Sequence, residues 1–366
     1  MKSIRYRVDL DAMEDRLSSP SDASIVRKGF VGMLNYSVLG WIDGMDDLPV
    51  ICDIHAPPGW PVFSTLAPSA TPPLGMVQVN APSYHVLADA QTYLGYGFKV
   101  VYRAFDVPLY IASYAQGSEE YLEDYAWQER WAMGALKQYF GPLPFPFYSL
   151  MLRRSIPQKP LAAPPLAMEH LQSSTFFSDT SAVRKGPMSE ELRLRTLATY
   201  LHHMGHAFIP LRAFGDAYRP RMFEAPPIID DIWLNEGFMW WLCFDTLRLP
   251  AMMKRFKDNV YHTPAFIRDL DLFSLSRVAS TQYGEDFRIG MAVFSRGALM
   301  ACEMDTYLRQ RTGGRKSFRD VLRYLYAWSQ REQRPFTMDE FPGLLKQATG
   351  EDLRAIYEQW KKAIGK

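Results

Sequence analysis

The pattern of the chain changes character near Ser118, and that change limits the folds open to it more than any other feature. Up to about residue 115, Pro and Gly cut the sequence into short β-favouring runs. These are VGMLNYSVLGWI, LPVICDIHAP, GMVQVNAP, YHVLAD and GFKVVYRAF, separated by clusters such as PPGWP and SATPPLG. They predict a β-domain over 1–115 with a sandwich-like sheet. From Ser118 the spacing becomes helical in EEYLEDYAWQERWAMGALKQYFG, with Gly141-Pro142 as the stop. FPFYSLMLRRS and LAMEHLQSSTFF each read as a strand, and helices are expected to dominate from Ser189 onward. The fold class is therefore α+β, with a mainly helical domain over 116–366 after the β-domain.

Three helices carry the argument. Ser189 is the expected N-cap of the first, with Glu190 and Glu191 in the first turn, where the helix dipole favours anions. The second is expected over DDIWLNEGFMWWLCFDTL, and the third over DFRIGMAVFSRGALMACEMDTYLRQ, ended by Gly313-Gly314. Ser317 and Thr337 open segments of capping-box form, so further helices close the sequence. The aromatic run GFMWWLCF reads as core packing at helical spacing, and the basic runs RRS (153–155) and KK (361–362) as solvated surface.

Composition removes several function classes. The 41 basic and 40 acidic residues leave a formal charge of +1, which gives no reason to expect nucleic acid or an anionic membrane as partner. No run approaches the roughly 18 uninterrupted apolar residues of a membrane span. Cys52, Cys243 and Cys302 are odd in number and far apart, so no disulfide framework is expected and a reducing, cytoplasmic setting fits. A small-molecule or peptide substrate remains.

Within the first of these helices the chain reads YLHHMGHAF over 200–208. His202 and His206 are four apart, which puts both imidazoles on one helical stripe with Ala198. Two such histidines supply half of a zinc tetrahedron, and a third ligand must come from another element. His203 and His206 form a second pair at i and i+3, so spacing alone does not choose the ligands. Glu236, in WLNEGF, stands 30 positions after His206 on the next expected helix. Neither GxSxG nor a cysteine beside a histidine offers a nucleophile instead.

HHMGH followed by NEGF resembles the HExxH…E arrangement of the gluzincin metallopeptidases. The step to the glutamate is similar to that of the glycyl-aminopeptidase family, which usually also carries a PDZ domain. AMEHLQSST (167–175) resembles that family's substrate-binding edge strand, and PPGWPVFSTL (57–66) its N-domain strand. The segment beginning FSRG at 294 resembles the helix that opens with Tyr-x-Lys-Gly. The resemblance implies a thermolysin-like helical domain, Zn2+ held by His202, His206 and Glu236, and Glu169 on the amine-binding edge strand. Glu169 has a plainer reading too, as an edge-strand carboxylate facing water. His170, next along, is expected to face the other way and to be structural.

The departures decide what chemistry to expect. The family's general base is the glutamate of HExxH, and here the residue is His203. Its transition-state hydroxyl is the tyrosine of Tyr-x-Lys-Gly, and here the residue is Phe294. Leu166 and Ala167 replace the glycines before the edge-strand glutamate, and no PDZ module is expected before Lys366. Loss of general acid-base help typically removes ~10²–10⁴ in rate, and loss of one oxyanion donor about 10²–10³. Ordinary aminopeptidase activity is therefore not expected. His203 stays open to three readings: a replacement base, since imidazole exchanges its proton near neutral pH; a fourth metal ligand; or a passive residue. The expected function is a repurposed zinc enzyme, performing another hydrolysis, an elimination or a cyclisation. A pseudo-peptidase that binds a peptide or protein is the alternative.

Overall fold

A computed structural model describes residues 3–16, 23–115, 122–154, 167–178, 189–218 and 227–364. They form two compact units. One holds the described residues up to Trp127 together with the segment that follows from Phe145 through the last strand. The other holds Gln128–Pro144 and the described residues from Ser189 onward. The first unit thus takes in chain well beyond residue 115. Leu166, the first residue of the expected LAMEHL strand, lies outside the described residues, as do positions 118–121 of the expected helix and Ser155.

The first unit opens with α1 (Leu10–Arg16), then β1 (Ile25–Arg27), β2 (Phe30–Leu34), β3 (Val50–His55), β4 (Val62–Ser64) and β5 (Met76–Ala81). After α2 (Tyr84–Asp89) come β6 (Gln91–Gly95), β7 (Lys99–Arg103) and β8 (Leu109–Tyr114), and later β9 (Tyr148–Arg154), β10 (Ala167–Glu169) and β11 (Ser173–Ser178). Among the described residues three sheets result, in the strand orders β1-β2-β6-β4, β3-β5 and β10-β11-β9-β8-β7. In the largest, β9 runs parallel to both β8 and β11, whereas β7 and β10 are antiparallel edges. Phe30, Phe63 and Tyr93 of the four-stranded sheet pack with Ala112 and Met151 of the five-stranded one, which joins the two sheets through a common core.

Three expectations are corrected in this unit. YHVLAD is the helix α2, not a strand, because the Ser83 hydroxyl accepts from the Val86 N–H at 3.3 Å and caps it. AMEHLQSSTFF is a hairpin rather than one strand, with Glu169 of β10 opposite Ser174 of β11. Arg153 is 3% exposed instead of solvated, because β9 is a central strand covered on both faces; its guanidinium lies 5.3 Å from the Phe177 ring centre.

The second unit is helical. The end of α3 (Leu122–Phe140) leads into it, followed by α4 (Glu190–Gly205), α5 (Ile232–Leu247), α6 (Pro250–Tyr261), α7 (Ala265–Arg268) and α8 (Leu272–Gln282). Then come α9 (Phe287–Thr312), α10 (Phe318–Glu332), α11 (Phe341–Thr349) and α12 (Arg354–Lys361). Helix α9 ends at Gly313, whose φ of 62° is left-handed, as the Gly-Gly signal predicts. Both capping boxes form: Ser317 with Asp320, and Thr337 with Glu340 through reciprocal bonds of 2.9 and 3.1 Å. Helix α9 is the spine of the unit. Gly297 at its middle meets α5, and its buried Arg296 donates to the carbonyls of Leu270, Trp360 and Lys362.

Cys52, Cys243 and Cys302 are free thiols. Among the described residues no helix is long and apolar enough to cross a membrane.

Candidate metal centre

Helix α4 forms as its sequence directs. The Ser189 hydroxyl accepts from Leu192 N–H at 3.3 Å, and Glu190 and Glu191 occupy the first turn. Its apolar residues Leu197, Ala198, Leu201 and Met204 are buried, and His202 and His206 continue the buried stripe at 3% and 0% exposure. His206 lies at the C-cap, where the backbone has just left the helix. Gly205 lets α5 come close, since a Cβ there would fall 2.9 Å from the Met239 sulfur. That approach brings Glu236, on the facing side of α5, against the two histidines.

The donor atoms converge. Nε2 of His202 and Nε2 of His206 are 3.1 Å apart, and Oε2 of Glu236 lies 3.0 Å from the first and 3.7 Å from the second. A triangle with those sides has a circumradius of about 1.9 Å, so one point is equidistant from all three atoms near the ~2.0–2.2 Å that zinc keeps from imidazole nitrogen and carboxylate oxygen. The tautomer of His206 suits this. Its Nδ1 is 2.9 Å from the Ile209 carbonyl oxygen, so the proton sits on Nδ1 and the Nε2 lone pair faces inward.

Electrostatics favour a neutral His202 and an ionised Glu236. Burial lowers His202 to about 4, with His206 beside it acting the same way, so its imidazole is neutral at neutral pH. Burial would raise the Glu236 carboxyl, but His206 and His202 against it hold it well below the usual carboxylate range. Neutral imidazole and ionised carboxylate are the forms that bind metal. The three side chains therefore fit a zinc ion in donor type and spacing.

His203 belongs to the same cluster. One of its ring nitrogens lies within 4.8 Å of ligand nitrogens on His202 and His206, and it is half-buried. Its ring centre is 5.0 Å from that of His202 and 6.0 Å from that of His206. Phe294, on α9, is half-buried with its ring 6.1 Å from that of Phe287. Glu169 lies in the other unit, half-buried at the end of the edge strand β10. His170 beside it is 3% exposed, with Nδ1 3.2 Å from Asp89 Oδ1, and the next residue, Leu171, donates its N–H to the same carboxylate at 2.7 Å. His170 is structural, as expected.

Sequence reasoning missed Trp240. Helical spacing reads it as core, but its indole stacks on the His202 imidazole with centroids 4.4 Å apart. The signal was present, because Trp240 stands four residues after Glu236 and so shares its face of α5. It also missed the Ile209 carbonyl, which no side-chain pattern reports.

No family model matches the sequence, and no curated protein matches it. Solved structures do. An aminopeptidase N family protein from Idiomarina loihiensis superposes with a TM-score of 0.74 at 17% identity, over 92% of this chain and 59% of that one. An M1 zinc metallopeptidase from Deinococcus radiodurans gives 0.54 at 15% identity, over 92% of this chain and 70% of that one. A glutamate-to-alanine mutant of that enzyme, bound to a Tyr-Ser-Ala substrate, gives 0.53 at 14%, over 91% and 69%. The fold is that of the M1 zinc metallopeptidases, a β-sheet N-terminal region followed by a helical part. The chain spans 59% of the length of the Idiomarina protein.

Proposed function

We propose that this chain is a zinc-binding enzyme of metallopeptidase fold that has left ordinary aminopeptide hydrolysis. It acts instead on a small-molecule or peptide substrate by another hydrolysis, an elimination or a cyclisation. The observation that carries this reading is the convergence of His202 Nε2, His206 Nε2 and Glu236 Oε2 with an imidazole, His203, beside them. These three residues are the zinc ligands of the proposal. The metal, when bound, supplies a Lewis acid.

The chain's own residues do the rest. His203 takes the place of the base glutamate of the resembled family and accepts a proton at a ring nitrogen, returning it to the leaving group. Phe294 provides no hydroxyl for an oxyanion, so peptide-bond hydrolysis loses a donor that it needs. Reactions that develop less charge on an acyl oxygen are penalised less by that loss. A panel of esters, amides and elimination-prone substrates, run on zinc-loaded protein and on His203→Ala, tests the reading. Turnover that vanishes in the variant while zinc content stays at the parent level supports it.

Phe294 favours a second reading, a protein that holds a peptide without cleaving it. The Deinococcus mutant was solved with a tripeptide, which makes short peptides the first ligands to try. Measurable peptide affinity with no turnover across the panel would select this second reading.

A further inference from the structure

His202 and His206 are held in different ways. The second nitrogen of His206 has the Ile209 carbonyl as partner at 2.9 Å. The second nitrogen of His202, Nδ1, is buried and has no hydrogen-bond partner among the described residues, in a side chain 3% exposed. A metal-ligating histidine almost always donates through that nitrogen to a carboxylate, a carbonyl or water, which fixes the ring. Something else must fix His202. The indole of Trp240 lies over its ring at 4.4 Å with the planes inclined by 25°. Trp240 is itself clamped, with the Phe256 ring 5.5 Å away at 65° and Phe244 at 6.5 Å, and those two phenylalanines meet edge to face at 5.0 Å.

We infer that Trp240 is the positioning residue for His202, holding the imidazole by its face where other sites hold it through a hydrogen bond. The inference rests on the proposed role of His202 as a zinc ligand. Stacking restrains tilt and translation, but it accepts no proton from Nδ1. It therefore fixes the ring without raising its basicity, and the site takes up zinc less tightly than one in which both histidines are hydrogen-bonded. Loss of an outer partner typically costs about 10–100-fold in metal affinity, and removal of the indole is expected to fall in the same range.

The test uses the full chain and three variants. Trp240→Phe keeps an aromatic face, Trp240→Leu keeps bulk without one, and Trp240→Ala removes both. Zinc affinity is read by competition with a chromogenic chelator, and the His202 ring-proton shifts are read by NMR in metal-free protein. The expected result is near-parental affinity for Trp240→Phe and a loss of roughly 10-fold or more for Trp240→Leu. The upfield shift that the indole imposes on the His202 protons is expected in the parent and absent from Trp240→Leu. Parental affinity in Trp240→Leu overturns the inference, as does an unshifted His202 signal in the parent. Should Trp240→Ala fail to fold, the Phe and Leu pair still decides. A parent that shows the shift but takes up no zinc at all refutes the metal reading itself, and the affinity claim with it.

Discussion

Gly297 of α9 lies so close to Trp233 of α5 that a Cβ on the glycine would fall 1.8 Å from the Trp233 carbonyl oxygen. Gly237, next to Glu236, makes the reciprocal approach, with a Cβ there 2.6 Å from the Gly297 backbone. The helix that carries the candidate carboxylate ligand is thus seated backbone to backbone on the spine of its unit.

Gly297→Ala is expected to destabilise the protein by at least about 2 kcal/mol, because backbone cannot yield as a flexible side chain can. Gly343→Ala is the control. That glycine sits within α11 with nothing near its missing Cβ, and the change should stabilise by ~0.5–1 kcal/mol. Urea unfolding of both variants checks the contrast, and equal midpoints would refute it.

Asp231, at the N-cap of α5, predicts a pH dependence. Burial, with Asp230 beside it, pushes its carboxyl up to about 7. The unfolded chain releases that proton near the usual ~3.9. The native state therefore binds more protons between these values, and this group's contribution to stability falls as pH rises through about 7. Asp231→Asn should remove that slope, so the variant gains on the parent by on the order of 1–3 kcal/mol from pH 5 to pH 8. Parallel stability curves over that range would contradict the assignment.

Elemental analysis addresses the metal. The parent should retain about one equivalent of zinc after dialysis, and His206→Ala or Glu236→Gln should reduce this at least tenfold, since each removes one of three ligands. A parent that stays below a tenth of an equivalent after zinc addition would end the metal reading.

The departures at His203 and Phe294 give a reconstruction experiment. The parent should turn over amino-acyl amides negligibly. His203→Glu with Phe294→Tyr should gain at least ~10²-fold, the lower bound of what a base and an oxyanion donor each contribute. No gain, in a variant that still holds zinc, would mean that these two residues are not what separates the chain from a peptidase.

The ends of the long helices were legible because caps and terminal glycines are local: Ser189, Gly313 and the two capping boxes state their roles within four residues. Spacing on α4 leaves two histidine pairs open, and the choice of His202, His206 and Glu236 comes from the resemblance of HHMGH and NEGF to a known motif. The order β10-β11-β9-β8-β7 was not legible, because parallel neighbours such as Tyr110 and Ser149 meet across long stretches of chain. YHVLAD misled through its β-favouring composition, which outweighed one serine cap. Trp240 could not be told from core by spacing, because a ring that packs and a ring that holds a ligand occupy the same helical stripe.

The three carbonyls around Arg296 have a consequence for the order in which the chain can assemble. Two of them, at Trp360 and Lys362, come 64 and 66 residues after the arginine they satisfy. Until those residues leave the ribosome, the α9 guanidinium has only the Leu270 carbonyl of the three, and the spine on which α5 rests cannot settle. Helices α4 and α5 are made earlier, yet their final seating waits on the segment that carries these two carbonyls, so a molecule synthesised only as far as α11 holds His202, His206 and Glu236 on an unsettled spine.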